Sequence, residues 1–153
     1  MSLARRIEEY LKKLLAEQQV IEIQRNELAE VFECVPSQIN YVLSTRFTPL
    51  QGYFVESRRG EGGYIRIAKI AWNLWPHYSL KEIYQEMESG LSQREAEGIL
   101  KRFFEEGLIT EREYKLLVMI IERETLFLGL PERDLLRAKI MQAVLTGLCR
   151  EDY

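Results

Sequence analysis

Histidine occurs once and cysteine twice in these 153 residues. A lone His77 leaves no material for a His-based triad or a multi-histidine metal site. Cys34 and Cys149 stand far apart, each inside an apolar pattern, so neither a disulfide framework nor a zinc spacing is present. Cys34 reads as a small core residue, not a nucleophile. Proline and glycine are scarce, at four and nine, which excludes disordered and fibrous classes. No apolar run approaches the ~20 residues needed to span a bilayer. The opening MSLARRIEEYLKKLL carries a charge every few residues, so no signal peptide is expected and the cytoplasm is the expected compartment. The glutamates are spread along solvent faces of helices, not paired for acid and base work. Neither enzymatic activity nor a cofactor is expected.

Charge is plentiful but unevenly placed. The net charge is −3, yet residues 36–70 hold five Lys and Arg against two Glu, while residues 71–153 hold eleven against fifteen acids. A locally basic segment on an acidic chain fits a confined anion-binding surface. At its centre lies RRGEGGYIRI, Arg58 to Ile67, where glycines beside arginines first suggest a nucleotide loop. A dinucleotide fingerprint needs a third spaced glycine and a following helix; a P-loop needs a closing Gly-Lys-Ser/Thr. Both are missing. Instead GYFVES and YIRIAKI alternate with period two on either side of RRGEGG, the pattern of a β-hairpin with a glycine-rich tip.

The segments before the hairpin supply its context. Ser2 can cap a helix through about Gln18, with Leu3, Ile7, Tyr10, Leu11, Leu14 and Leu15 inward and Arg5, Glu8, Glu9 and Lys12 outward. Val20–Ile23 predicts a short strand. Asn26 is the expected cap of a second helix, with Leu28, Val31 and Phe32 inward. Val35-Pro36 should stop it, and Ser37 should cap a third helix after a tight turn, the helix-turn-helix arrangement. On that third helix Ile39, Val42 and Leu43 form the core stripe. Ser37, Asn40, Tyr41, Ser44 and Thr45 fall opposite, with Gln38 beside them. This outward face carries no acid, which matters because a carboxylate is repelled at a phosphate-lined groove.

Strand, helix, tight turn, helix and hairpin make a winged helix-turn-helix. The third helix would enter the major groove, with Gln38, Asn40 and Tyr41 near base edges and Ser37, Ser44 and Thr45 near edges or phosphates. Arg46 would meet the backbone or a guanine. Arg58, Arg59 and Tyr64 flank a tip whose Gly60, Gly62 and Gly63 let the backbone enter a minor groove. The competing reading is an interaction adaptor that no longer binds DNA; the acid-free face speaks against it.

Residues 72–78 form an aromatic linker, where Trp72 and Trp75 suit packing better than base stacking. From Ser79 onward the pattern is helical, with capping boxes at Ser92/Glu95 and Thr110/Glu113 and glycines at 90 and 107 closing helices. The last helix carries Leu135, Leu136, Ile140, Met141, Ala143, Val144, Leu145 and Leu148 over more than one face, so burial against a second copy is expected. The expected architecture is an α+β N-terminal winged helix-turn-helix DNA-binding domain (1–71), the linker (72–78) and an all-α helical C-terminal dimerisation domain (79–153).

Three stretches, CVPSQINYVLSTRFT, GYFVESRRGEGGYIRI and LPERDLLRAKIMQAVLTGL, together resemble the CtsR family, repressors of class three stress genes in low-GC Gram-positive bacteria. The resemblance implies a homodimer that represses Clp protease and chaperone genes from direct-repeat operators. It also implies inactivation by heat, and the partners McsA, the protein-arginine kinase McsB and the ClpC ATPase. Arg59 matches the wing arginine such a kinase modifies, and Arg25 and Arg46 match other basic positions of the DNA-binding domain. Where the family has four consecutive glycines, this chain has Gly60-Glu61-Gly62-Gly63. The glutamate is a departure that places a carboxylate in a stretch suited to approach phosphate.

Overall fold

The structure, a computed structural model, describes residues 1–58, 63–73 and 79–152. It divides into two compact units, Met1–Leu74 with Cys149–Tyr153, and Trp75–Leu148.

The first unit begins with α1 (Leu3–Glu17), capped as expected by Ser2, whose hydroxyl accepts from the Arg5 N–H. Ile7, Leu11 and Leu15 are buried, while Tyr10 lies at the edge of the apolar face, 40% exposed. There its ring meets Phe32 edge-on at 5.4 Å. β1 (Val20–Gln24) leads directly into α2 (Arg25–Val31). Asn26 does not cap α2: the helix begins at Arg25, two residues earlier than such a cap would place it, behind Gln24, which makes no side-chain cap bond. Nor does Val31 point inward; it is 65% exposed. The seven-residue helix ends there, Glu33 turns left-handed at φ 52°, and the Cys34 N–H donates to the Ala29 carbonyl at 2.9 Å. Phe32 takes the inward place beyond the helix end.

Pro36 does not stop a helix but starts one. α3 runs Pro36–Arg46 with Pro36 in its first turn and extended Val35 as its cap residue, so Ser37 is not the cap. Proline suits this position because its fixed φ is helical and its missing N–H would find no partner there. After a short 3-10 turn at Pro49–Gln51, β2 (Tyr53–Arg58) and β3 (Tyr64–Lys69) form the expected hairpin. The sheet order is β1-β3-β2, antiparallel throughout. Ile21, Ile65 and Ile67 from the sheet join Ile7, Leu11, Leu28, Ile39, Val42 and Phe47 in one core.

In the second unit, α4 (Leu80–Glu86), α5 (Gln93–Glu105), α6 (Glu111–Ile121), the short α7 (Arg123–Leu126) and α8 (Glu132–Cys149) follow one another. Both expected capping boxes form, Ser92 with Glu95 and Thr110 with Glu113. Gly90 and Gly107 have φ of 108° and 81° at the chain reversals. A buried arginine holds the middle of the unit: Arg137 donates to the carbonyls of Ile121 and Leu91 at 2.8 and 3.0 Å, and to Asp134 at 2.7 Å. Among the described residues, no helix is long and apolar enough to cross a membrane.

Candidate nucleic acid interface

α3 is positioned by its buried side. Ile39 and Val42 are fully buried and Leu43 nearly so, which fixes the rotation of the helix and turns the other side outward. Ser37, Gln38, Asn40, Tyr41, Ser44 and Thr45 are all exposed. Tyr41 retains 57% of its surface, a large exposure for an aromatic ring. The hydroxyls of Ser44 and Thr45 donate to the Tyr41 carbonyl at 3.1 and 2.7 Å, which leaves their oxygens as outward acceptors. An open groove of about 460 Å³ lies between α3 and β2; Asn40, Ser44, Thr48 and Ser57 supply its polar lining.

Basic residues stand at both ends of this surface. Arg46, in the last turn of α3, donates to Glu8 of α1 at 2.9 Å. Glu8 also accepts from Lys12 at 3.1 Å. Partial burial works to raise the Glu8 pKa, but Lys12 and Arg46 outweigh it and hold the carboxyl below its usual range. Arg46 is therefore braced by an acid, and a phosphate would have to compete with Glu8 or share the guanidinium fork.

Arg25 belongs to the hairpin as much as to α2. Its backbone N–H donates to the Gly63 carbonyl at 2.8 Å, and its guanidinium donates to Ser57 of β2 at 3.1 Å. Gly63 has φ +70°, and a Cβ there would lie 2.6 Å from Arg25 Nη1, so glycine serves both conformation and space. Arg58 pairs in register with Tyr64 across the hairpin. The Tyr64 hydroxyl donates to Glu22 of β1 at 2.8 Å, a bond that raises its pKa. The structure thus brings Arg25, Arg58, Gly63 and Tyr64 together at the base of the wing. Arg59, Gly60, Glu61 and Gly62 lie outside the described residues, as do Trp75 and His77. Trp72 is described; its indole N–H donates to the Pro49 carbonyl at 2.7 Å, a packing role.

The contacts of Glu8 with Arg46, Glu22 with Tyr64 and Ser57 with Arg25, which hold these groups in place, had no signal in the sequence, since their partners lie far apart along the chain.

Residues 2–71 match the family described as CtsR N-terminal HTH domain, and residues 76–146 match the CtsR C-terminal dimerization domain. The chain belongs to the CtsR family. Relatives called Transcriptional regulator CtsR include one from Bacillus subtilis, 48% identical over 93% of this chain and 93% of its own length. Another, from Geobacillus stearothermophilus, is 46% identical over 93% of this chain and 94% of its own. These CtsR relatives are named as regulators, in keeping with the expectation that the chain is not an enzyme. A solved structure described as CtsR in complex with a 26 bp DNA duplex is 44% identical, covers 96% of this chain and 98% of its own, and has a TM-score of 0.49.

Proposed function

We propose that the chain is a homodimeric, cytoplasmic repressor of Clp protease and chaperone genes that binds direct-repeat operators in double-stranded DNA. The observation that carries this reading is the acid-free, exposed face of α3, rotated outward by Ile39, Val42 and Leu43, in a chain of the CtsR family. Gln38, Asn40 and Tyr41 are the groups that reach base edges in the major groove. Ser37, Ser44, Thr45 and Arg46 serve phosphates or edges. Arg25, Arg58, Arg59, Tyr64 and the glycines 60, 62 and 63 form the wing contact in the minor groove. Among the described residues, Leu116, Met119 and Ile120 of α6, Phe127 and Leu128 after α7, and Leu135 and Leu136 of α8 all remain at least 38% exposed. So much uncovered apolar surface supports pairing through the second unit. McsB, McsA and ClpC are the partners that family membership suggests, with Arg59 as the residue a protein-arginine kinase would modify.

Gel-shift titration and footprinting on stress-gene promoter fragments test this directly. Arg59→Glu is expected to weaken binding by about tenfold or more while leaving the dimer intact, because a wing cation becomes an anion beside phosphate. Unchanged affinity removes the wing assignment, and a footprint without repeated half-sites removes the operator assignment.

A further inference from the structure

The residues that follow α8 pack with the first unit, not the second. Arg150 forms an antiparallel bridge with Ile70. On either side of it the Ala71 N–H donates to the Cys149 carbonyl at 2.7 Å, and the Glu151 N–H to the Lys69 carbonyl at 2.9 Å. This short pairing brings two charged side chains onto the sheet face opposite Ile65 and Ile67.

On that face the strand register aligns Glu22, Arg66 and Glu56 in one row across β1, β3 and β2. Arg150 donates to Glu56 at 2.6 Å and to both oxygens of Asp152 at 2.9 and 2.7 Å. Its guanidinium also lies 4.3 Å from the Phe54 ring centre. Asp152 in turn pairs with Arg66 at 3.3 Å, Arg66 with Glu22 at 3.7 Å, and Glu22 with the Tyr64 hydroxyl. The side chains of Arg150 and Asp152 are only 4% and 2% exposed. Hydrogen bonds and ion pairs therefore run from the end of α8, across all three strands, to Tyr64 and its register partner Arg58 at the wing base, the Arg66–Glu22 ion pair being the longest link. Buried ion pairs are poor stabilisers, because desolvation cancels much of their attraction. What the bidentate Arg150–Asp152 pair does supply is fixed geometry.

We propose that Arg150 and Asp152 are positioning residues for the wing, holding the β2–β3 hairpin at the angle from which Arg58 reaches DNA. The proposal rests on the DNA-binding reading given above. Electrostatics agree with it. The Asp152 hydrogen bond raises the Arg150 pKa against the opposing effect of burial, and the Arg150 bond holds the Asp152 carboxyl below its usual range.

The test uses the full chain and a fluorescent promoter duplex titrated at several NaCl concentrations. Arg150→Ala is expected to lower affinity on the order of tenfold, the coupling typical of a connected polar network. The slope of log K against log salt should also shrink by about 0.9 for each phosphate that the wing no longer reaches. In the Arg150→Ala background, Arg58→Ala should cost much less than it does alone, whereas Asn40→Ala should cost the same in both. A purely structural loss, with fewer folded molecules, would scale affinity equally at every salt concentration and leave both pairs additive. That outcome, or unchanged affinity, overturns the proposal. Asp152→Asn conserves size and packing and carries the same test if Arg150→Ala does not fold. Failure of the unaltered protein to bind any such duplex would instead overturn the DNA-binding reading itself.

Discussion

Replacing Gly63 with alanine asks an L-residue to hold φ +70° and to place a methyl 2.6 Å from Arg25 Nη1. The left-handed conformation costs about 1 kcal/mol for a residue with a Cβ. The guanidinium can swing aside, but then it leaves Ser57, whose 3.1 Å bond contributes about 0.5–1 kcal/mol net at a partly exposed site. The backbone bond from Arg25 to the Gly63 carbonyl has no reason to break. The expected cost is therefore about 1.5–2 kcal/mol, confined to the first unit. Native-state hydrogen exchange of the β1–β3 ladder amides measures it there, independently of the helical unit. The two contributions can be separated. In an Arg25→Ala background the methyl no longer meets a guanidinium, so Gly63→Ala should cost only the conformational part, about 1 kcal/mol. A change below about 0.5 kcal/mol in the natural background, or an identical cost with Arg25 removed, would refute the account of how the wing base is packed.

Met119→Glu, at a position 63% exposed on the apolar side of α6, is expected to convert a dimer into a monomer by light scattering at micromolar concentration. A charge buried at an interface without a partner costs several kcal/mol; a variant that stays dimeric would move the interface off α6. Burial pushes the Cys149 thiol up to about 11, so at pH 8 a disulfide reagent should modify half-buried Cys34 well before Cys149, and equal rates would contradict the packing of the tail.

The features legible in the sequence were those set by neighbours a few residues apart. Ser2, Ser92 and Thr110 cap helices because each meets an N–H three residues on, and the hairpin announces itself by strict alternation. The stripe of Ile39, Val42 and Leu43 likewise fixed which side of α3 is exposed. Errors arose where two local signals competed. Ser37 and Asn26 are good capping residues, but Pro36 suits a first helical turn better than a terminator, and α2 begins directly from the strand before it. Val31 continues an apolar periodicity, but the helix ends at it and Phe32 turns inward instead. Contacts such as Arg46 with Glu8, 38 residues apart, and Arg150 with Glu56, 94 apart, leave no trace in spacing. They form because folding brings distant elements together. The acids in them look like solvated surface until their partners are placed.

The position of Arg150 and Asp152 also means that residues 1–74 alone do not make up the whole of the first unit. A fragment ending at residue 74 would keep α3 and the hairpin but leave Phe54, Glu56 and Arg66 without partners they hold in the intact chain. Grafting that fragment onto another chain would carry α3 and the hairpin along but lose the contacts of Arg150 with Glu56 and of Asp152 with Arg66. On the ribosome the same order applies: every helix of the second unit is synthesised before the two residues that add these contacts to the sheet of the first.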